Sequence, residues 1–441
     1  MCAVYERRTG AVFPPQGRHG PTKFVESWQG YSDADTLRRI GWYACAPWAL
    51  ALPGTGTLLV AGDSSALFIE QIQAASAAQQ RLLINGHNSK RQWLPAAAAD
   101  SSLCTAEHSG ILQYEPAELV VTARAGTPLA EIDAALREQQ QMLACEPPRF
   151  FASDVGTFGA TLGGAVACGF SGPGRPWLGA LRDAILGVEL INGLGEYLKF
   201  GGQVMKNVAG YDVSRLQAGA WGALGVMSVI SLRVQPCFAA QVTVSGELTA
   251  AAALDLCAQL GQRNLPITGS CWHAGGLALR LQGNESGVAA ACAGLAEFGL
   301  MPMPADDEYW QRLQHYQHDF FLPSMQASTD TRAHGSRRKL WRVVTPLAAP
   351  MPDFGAPSAA DALVMWGGGL RWFYQDDAAA VMAYAKAVGG WCWAIGDAMP
   401  IDPMQAQIMH QLANAFDPKG VFATPLSFPA NKAATLAMES H

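Results

Sequence analysis

The chain has 441 residues, enough for two or three domains at roughly 100–200 residues each. Thirty Lys+Arg against 36 Asp+Glu leave a net charge of −6, which excludes the basic stripe of a dedicated nucleic-acid binder. Half of the residues are hydrophobic and only 15% are charged, so disorder as the main state is excluded and apolar surface is left over for a partner subunit.

Residues 1–54 mix Gly, Pro, Arg and Trp without periodicity and are expected to form a poorly ordered extension. Met1–Gly10 lacks the apolar core of a signal peptide, which points to a cytoplasmic protein. The apolar stretch Ala44–Ala61 is cut by Pro47, Pro53, Gly54 and Gly56, too often for a membrane span. Regular patterning starts near Leu58. Asp63 is placed to cap a helix with Phe68, Ile72, Ala75 and Ala78 on its buried face, and Arg81–Ile84 reads as a short strand. Glu118–Ala125 is a second strand. Thr127 is expected to cap the next helix, with Pro128 at its first position and Leu129, Ile132 and Leu136 as its stripe.

Glycine then dominates residues 156–174. Asp183–Ile191 and Glu196–Phe200 read as a hairpin around Asn192-Gly193, because both residues accept positive φ. Val226–Val234 is a strand closed by Pro236, and a domain boundary is placed there. Residues 237–441 repeat strand, helix and strand, with 304–338 as the best loop candidate. The predicted organisation is an extension (1–54), a first domain (55–236) and a smaller α+β domain (237–441). The ten cysteines never fall at C-x-x-C spacing, so zinc-ribbon and iron–sulfur sites lose their main support and no metal site is expected.

The chemistry is concentrated in two loops, 86–90 and 156–172. A pyrophosphate needs several backbone N–H donors at close range, and glycine permits that approach. The competing reading is that these glycines only make tight turns. There is no G-x-x-x-x-G-K-[ST] and no G-x-G-x-x-G after the first strand, so P-loop and Rossmann sites lack their fingerprints. His315 and His318 share a metal-compatible spacing but fit a solvated helix face better. Arg337-Arg338-Lys339 reads as an exposed loop that could meet an acidic partner.

These residues carry a resemblance. Ala160-Thr161-Leu162-Gly163-Gly164 and Gly222-Ala223-Leu224-Gly225-Val226 resemble the flavin-contacting and closing segments of the vanillyl-alcohol-oxidase (PCMH) type FAD domain. Cys145-Glu146-Pro147-Pro148, Leu181-Arg182-Asp183, Phe200–Leu216 and Phe416–Phe422 are similar to the FAD-binding subunits of bacterial glycolate oxidase, the GlcE family. His87 departs from the usual Gly or Ser of the first loop. The Asn-Pro-Gly-Arg usual after the last motif is replaced by Ala423-Thr424-Pro425-Leu426, and residues 1–54 have no counterpart.

The resemblance implies an α+β fold, a two-lobed PCMH-type FAD-binding domain followed by a smaller α+β cap. It implies FAD held by Gly86, His87, Asn88, Ser89, Lys90, Gly156, Thr161, Gly163, Gly164, Gly225 and Val226, read as non-covalent, with a covalent bond through His87 as the alternative that some relatives' loop histidine offers. It further implies a complex with a catalytic flavin subunit and an iron–sulfur subunit, oxidising glycolate to glyoxylate, with peripheral association at the inner face of the cell membrane through that complex. No catalytic residue is assigned, since the His-Gly-Asp-Gly-Asn-type segment of catalytic relatives is missing; the nearest, Ala333-His334-Gly335-Ser336, lacks the acid. Two alternatives stay open: a stand-alone FAD-dependent 2-hydroxy-acid dehydrogenase, and a structural subunit with a degenerate flavin site. Lys206, Tyr211, Asp212 and Arg215 either line the flavin site or an interface, or pin their loop through ion pairs.

Overall fold

The first regular element starts close to its sequence signal. In the computed structural model, which describes residues 62–95, 97–150, 159–202, 212–304, 307–322, 338–354 and 359–426, helix α1 spans Ser65–Ala77. Ser64 takes the N-cap, while Asp63 accepts the Ser65 N–H at 2.9 Å. Phe68, Ile72 and Ala75 are buried as their spacing predicts, whereas Ala78 falls at the exposed C-cap. That face packs on a small parallel sheet of β1 (Leu82–Asn85) and β2 (Ser101–Cys104), with the closing strand Phe422–Ala423 on the other edge of β1.

A larger antiparallel sheet follows. It is built from β3 (Ile111–Glu115), β4 (Val120–Arg124), β6 (Ile185–Ile191), β7 (Tyr197–Gly201) and β8 (Val226–Pro236), in the order β3-β4-β8-β6-β7, with β5 (Gln141–Leu143) on the end of β8. The strand expected from Glu118 begins at Val120, because Pro116–Glu118 forms a 3-10 turn and Leu119 is left-handed at φ +56. The predicted hairpin joins β6 to β7, with Asn192 Oδ1 accepting the Leu194 and Glu196 N–H groups. Helix α2 (Leu129–Glu138) buries Leu129, Ile132 and Leu136 as expected. Its cap is corrected: Pro128 sits at the N-cap in extended conformation, and Thr127 Oγ1 instead accepts the Gly110 N–H at 2.9 Å.

The glycine run contains a helix, α3 (Leu162–Cys168), capped by Thr161 Oγ1, which accepts the Gly164 N–H at 3.2 Å. Cost per glycine in a helix is about 1 kcal/mol, so a seven-residue helix with two glycines relies on its cap and on burial of Leu162, Ala165 and Val166.

The second lobe is one eight-stranded antiparallel sheet. Its strands are β9 (Ala240–Glu247), β10 (Ile267–His273), β11 (Gly276–Gly283), β12 (Met301–Pro302), β13 (Lys339–Val344), β14 (Ala362–Met365), β15 (Leu370–Gln375) and β16 (Trp391–Ala394), in the order β12-β9-β11-β10-β14-β15-β13-β16. The sheet buries both faces. One, with Trp341, Val343, Val364 and Phe373, packs under helices α4 (Ala250–Leu260), α5 (Glu285–Leu295) and α7 (Ala378–Ala387). The other carries Leu340, Met365, Trp372 and Trp393 into an aromatic cluster shared with Trp93, Phe150 and Phe170 of the first lobe. Helix α6 (Asp307–Gln314) lies within the expected loop 304–338; Trp310 and Leu313 give it an apolar face that its polar composition hides.

The end of the chain leaves this second sheet. After α8 (Pro403–Phe416), Asp417 accepts the Val421 and Phe422 N–H groups at 2.9 and 2.7 Å, and Phe422–Ala423 becomes β17 beside β1. The motif Phe416–Phe422, expected within 237–441, therefore closes the first lobe.

Candidate functional site

Strand β1 delivers the first loop, residues 86–90, to the rim of a cleft of about 1250 Å³ counted with its open mouth. The opposite wall is the start of α3 with Thr161, Gly163 and Gly164, and the floor includes Trp221, Gly222, Gly225 and Met227. Gly86, His87, Asn88, Ser89 and Lys90 all line this cleft, as do Thr161, Gly163, Gly164 and Gly225. Two loops separated by more than seventy residues are thus brought together as the sequence suggests. Gly156 lies outside the described residues. Val226 is placed differently from the others: as the first residue of β8 it is fully buried in the core cluster with Phe68 and Ile72.

The glycines divide by what a Cβ would meet. At Gly163 it would lie 2.8 Å from the Ala125 Cβ, and at Gly225 2.5 Å from the Ile191 carbonyl, so both serve protein packing. At Gly86 it would meet Thr161 Oγ1 at 2.5 Å, which locks the two loops together. At Gly164 only the Thr161 hydroxyl comes close, at 3.0 Å, and the rest of that space is the cleft. Gly164 is the position whose missing side chain leaves room for a ligand to approach the helix.

Polar groups in the cleft are incompletely answered by the protein. Lys90 is 6% exposed and makes no ion pair among the described residues; its ammonium lies 5.6 Å from the Phe150 ring centre and couples electrostatically to the Cys168 thiol. Burial pushes its pKa down, and the same burial pushes the Cys168 thiol up. Asn85 Oδ1 is buried with no hydrogen-bond partner. A buried cation and a buried acceptor each carry a desolvation cost unless a ligand meets them. His87 Nδ1 donates to the Gly159 carbonyl at 2.8 Å, so the residue that departs from the usual loop pattern ties the loop to the α3 segment.

Beneath the cleft, Glu146 joins the lobes. Its carboxylate accepts from Arg280 Nη2 on β11 at 2.5 Å and from the Gly174 N–H at 2.6 Å, with both side chains buried. Nothing in the residue pattern announces this pair, because its members come from different lobes. Of the two readings for the specific segment, an Asp212–Arg215 ion pair is present at 3.2 Å, with Asp212 also capping the turn Val213–Leu216; Lys206 and Tyr211 lie outside the described residues. His315 and His318 are not on a solvated helix face. α6 ends before them, His315 Nδ1 accepts the Arg149 N–H, His318 Nδ1 accepts the Phe320 N–H, and burial pulls both down to about 4. Arg338 and Lys339 are paired with Asp361 and Asp397, and Lys339 opens β13. Ala333–Ser336 lie outside the described residues.

Residues 57–201 match a family described as an FAD binding domain. The chain is 38% identical over 366 residues to glycolate oxidase subunit GlcE of Escherichia coli strain K12, across 82% of this chain and 96% of the relative. The chain belongs to the GlcE family of glycolate oxidase subunits. Its first lobe is an FAD-binding domain, and the cofactor of the family is FAD. A shorter similarity, 37% over 86 residues, covers 20% of this chain and 15% of a mitochondrial D-lactate dehydrogenase (cytochrome) of Arabidopsis thaliana. In structure the chain is similar to alkyldihydroxyacetonephosphate synthase, with TM-score 0.58 at 13% identity over 81% of this chain and 74% of that one, a likeness of fold. Among the described residues no helix is long and apolar enough to cross a membrane.

Proposed function

We propose that this chain is the FAD-binding subunit of a multi-subunit glycolate oxidase that converts glycolate to glyoxylate, working beside a catalytic flavin subunit and an iron–sulfur subunit at the inner face of the cell membrane. The observation that carries the reading is the cleft between the two predicted loops, with Lys90 buried in it and in no ion pair among the described residues. An FAD pyrophosphate would supply an anion, the Asn85 side-chain amide oxygen would accept from the cofactor's hydroxyl-bearing chain, and the Cβ-free space at Gly164 would let that chain approach α3 closely. FAD, when bound, supplies the hydride-accepting ring. This chain contributes loops 86–90 and 161–164 to hold it, and the Trp221 side of the cleft to shield it from water.

The sequence supports a division of labour. It lacks the acid–base histidine segment of catalytic relatives and any cysteine spacing for a cluster, so a partner is needed for proton transfer and for the exit of electrons. The purified chain should therefore be yellow but stay oxidised with anaerobic glycolate, and turnover with a dye acceptor should appear on adding its partner subunits. Rapid bleaching of the flavin band in the isolated chain would establish a stand-alone dehydrogenase instead.

A further inference from the structure

The lining of the cleft draws on two different cores. Ile84 packs against the small core of α1 and β17. Leu94, Cys168 and Trp221 pack instead against the aromatic cluster that the two lobes share. Among the described residues, the aromatic side chains that line the cleft are the indole of Trp221 and the imidazole of His87.

Trp221 is held in an unusual way. Its φ is +55, a left-handed conformation that a bulky residue rarely adopts. Asn88, also on the cleft and also left-handed, is of a type that tolerates it. A tight turn by itself would be better served by glycine, as at the next position, Gly222, where φ is +79. The indole is what the chain gains by placing a tryptophan there. Backbone strain of this kind persists where the surroundings determine it, and it clusters at ligand sites. The surroundings are well defined. The Trp221 N–H donates to the Ala167 carbonyl at 2.9 Å, which ties the turn to the last turn of α3. Phe170 and Trp393 brace the ring edge to face, with centres 5.9 and 6.1 Å away at 75° and 85°. Both braces are buried, whereas Trp221 is half-buried. Trp393 lies on β16, so the cap lobe steadies a ring that lines the cleft of the first lobe.

We propose that Trp221 is the plate on which the isoalloxazine ring of FAD packs, and that it sets the direction of the cofactor: flavin ring toward the aromatic cluster, adenine toward Ile84 and Pro425. The isoalloxazine is the larger of the cofactor's two flat ring systems and gains more from contact with an indole. Gly164 and Cys168 stand one turn apart on the same face of α3, and both line the cleft, so the helix leads from the first loop to Trp221. This deepens the FAD reading of the cleft and rests on it.

The test is the fluorescence of the full chain purified with its FAD. An indole or phenol in contact with an excited flavin quenches it by donating an electron, and a phenyl ring does not. Bound FAD in the unaltered chain should be nearly dark. Trp221→Phe should bind FAD about two- to tenfold more weakly, the worth of an aromatic contact, and emission per bound flavin should rise severalfold. Trp221→Tyr restores an electron donor and should stay dark. Should Trp221→Phe not fold, Trp221→Met gives the same reading. Bright flavin in the unaltered chain would exclude the contact. Unchanged emission with weakened FAD would put the adenine on Trp221, and unchanged emission with unchanged affinity would make the residue a packing element; either result overturns the proposal. Flavin content separates the two ideas. A chain that never carries flavin sinks both, and one whose bound FAD is indifferent to Trp221 sinks the plate alone.

Discussion

In the cleft of the first lobe the chain withdraws its side chains: Gly164 leaves open space beside α3, Gly86 and Gly163 let neighbouring segments close up, and the buried cation Lys90 lines the space. In the aromatic cluster beneath the cap sheet the chain does the reverse. It fills the volume with Trp93, Phe150, Tyr316, Trp372 and Trp393, whose ring centres lie 4.8–6.4 Å from their neighbours. The first arrangement suits a long flexible ligand that must be gripped by backbone N–H groups. The second suits a rigid platform that holds the rings at its edge in one orientation. The difference lies in whether the protein leaves the space open or fills it with side chains.

The pair that couples the two regions should give the largest effect when broken. Glu146→Ala strands Arg280 inside the protein and orphans the Gly174 N–H. Removing one partner of a buried pair costs roughly 3–5 kcal/mol. Urea unfolding should show a loss of that size; a change under about 1 kcal/mol, the value of a surface pair, would mean that the lobes are held by packing alone.

A smaller effect separates ligand grip from folding in the cleft. Lys90→Met removes a buried cation that has no ion-pair partner among the described residues. The apoprotein should melt at a higher temperature, while FAD affinity falls about ten- to hundredfold, the worth of a charged hydrogen bond. Opposite signs in the two measurements mark a cofactor contact. A drop in both would mark Lys90 as structural.

The smallest effect is on the cluster's margin. His315 and His318 are neutral in the fold, held down to about 4 by burial, against an ordinary value near 6.5. The unfolded chain therefore binds more protons between these values. Their contribution is full above about pH 6.5 and is lost as pH falls toward 4. A melting series should slope downward through that window, and His315→Asn should flatten it. An unchanged slope would show that other groups govern acid stability.

The sequence was legible where one periodicity or one turn dominates. The stripe Phe68, Ile72 and Ala75 declares α1, and Asn192-Gly193 declares the β6–β7 hairpin. Strand β10, with the sequence ITGSCWH, was not anticipated because it is buried on both faces and alternates nothing. α3 was hidden inside a glycine run; Thr161, placed to cap it, was the available signal. Most of the candidate cleft was legible because glycine spacing is a local property. Val226 was not, since its direction is set by the backbone turn at Gly225, where φ is +134. The Glu146–Arg280 pair and the bracing of Trp221 depend on lobe packing, which no local pattern encodes.

Gly163 and Gly164 provide the most direct test of the central claim, that FAD lies against α3 in this cleft. They are adjacent in sequence but face opposite sides, one toward Ala125 and the other toward the cleft. Flavin content and melting temperature should be measured for Gly163→Val and Gly164→Val beside the unaltered chain. The account predicts that Gly164→Val keeps its apoprotein melting temperature and purifies colourless, whereas Gly163→Val is destabilised by about 1–3 kcal/mol through overpacking. Stoichiometric FAD in a folded Gly164→Val protein would contradict it.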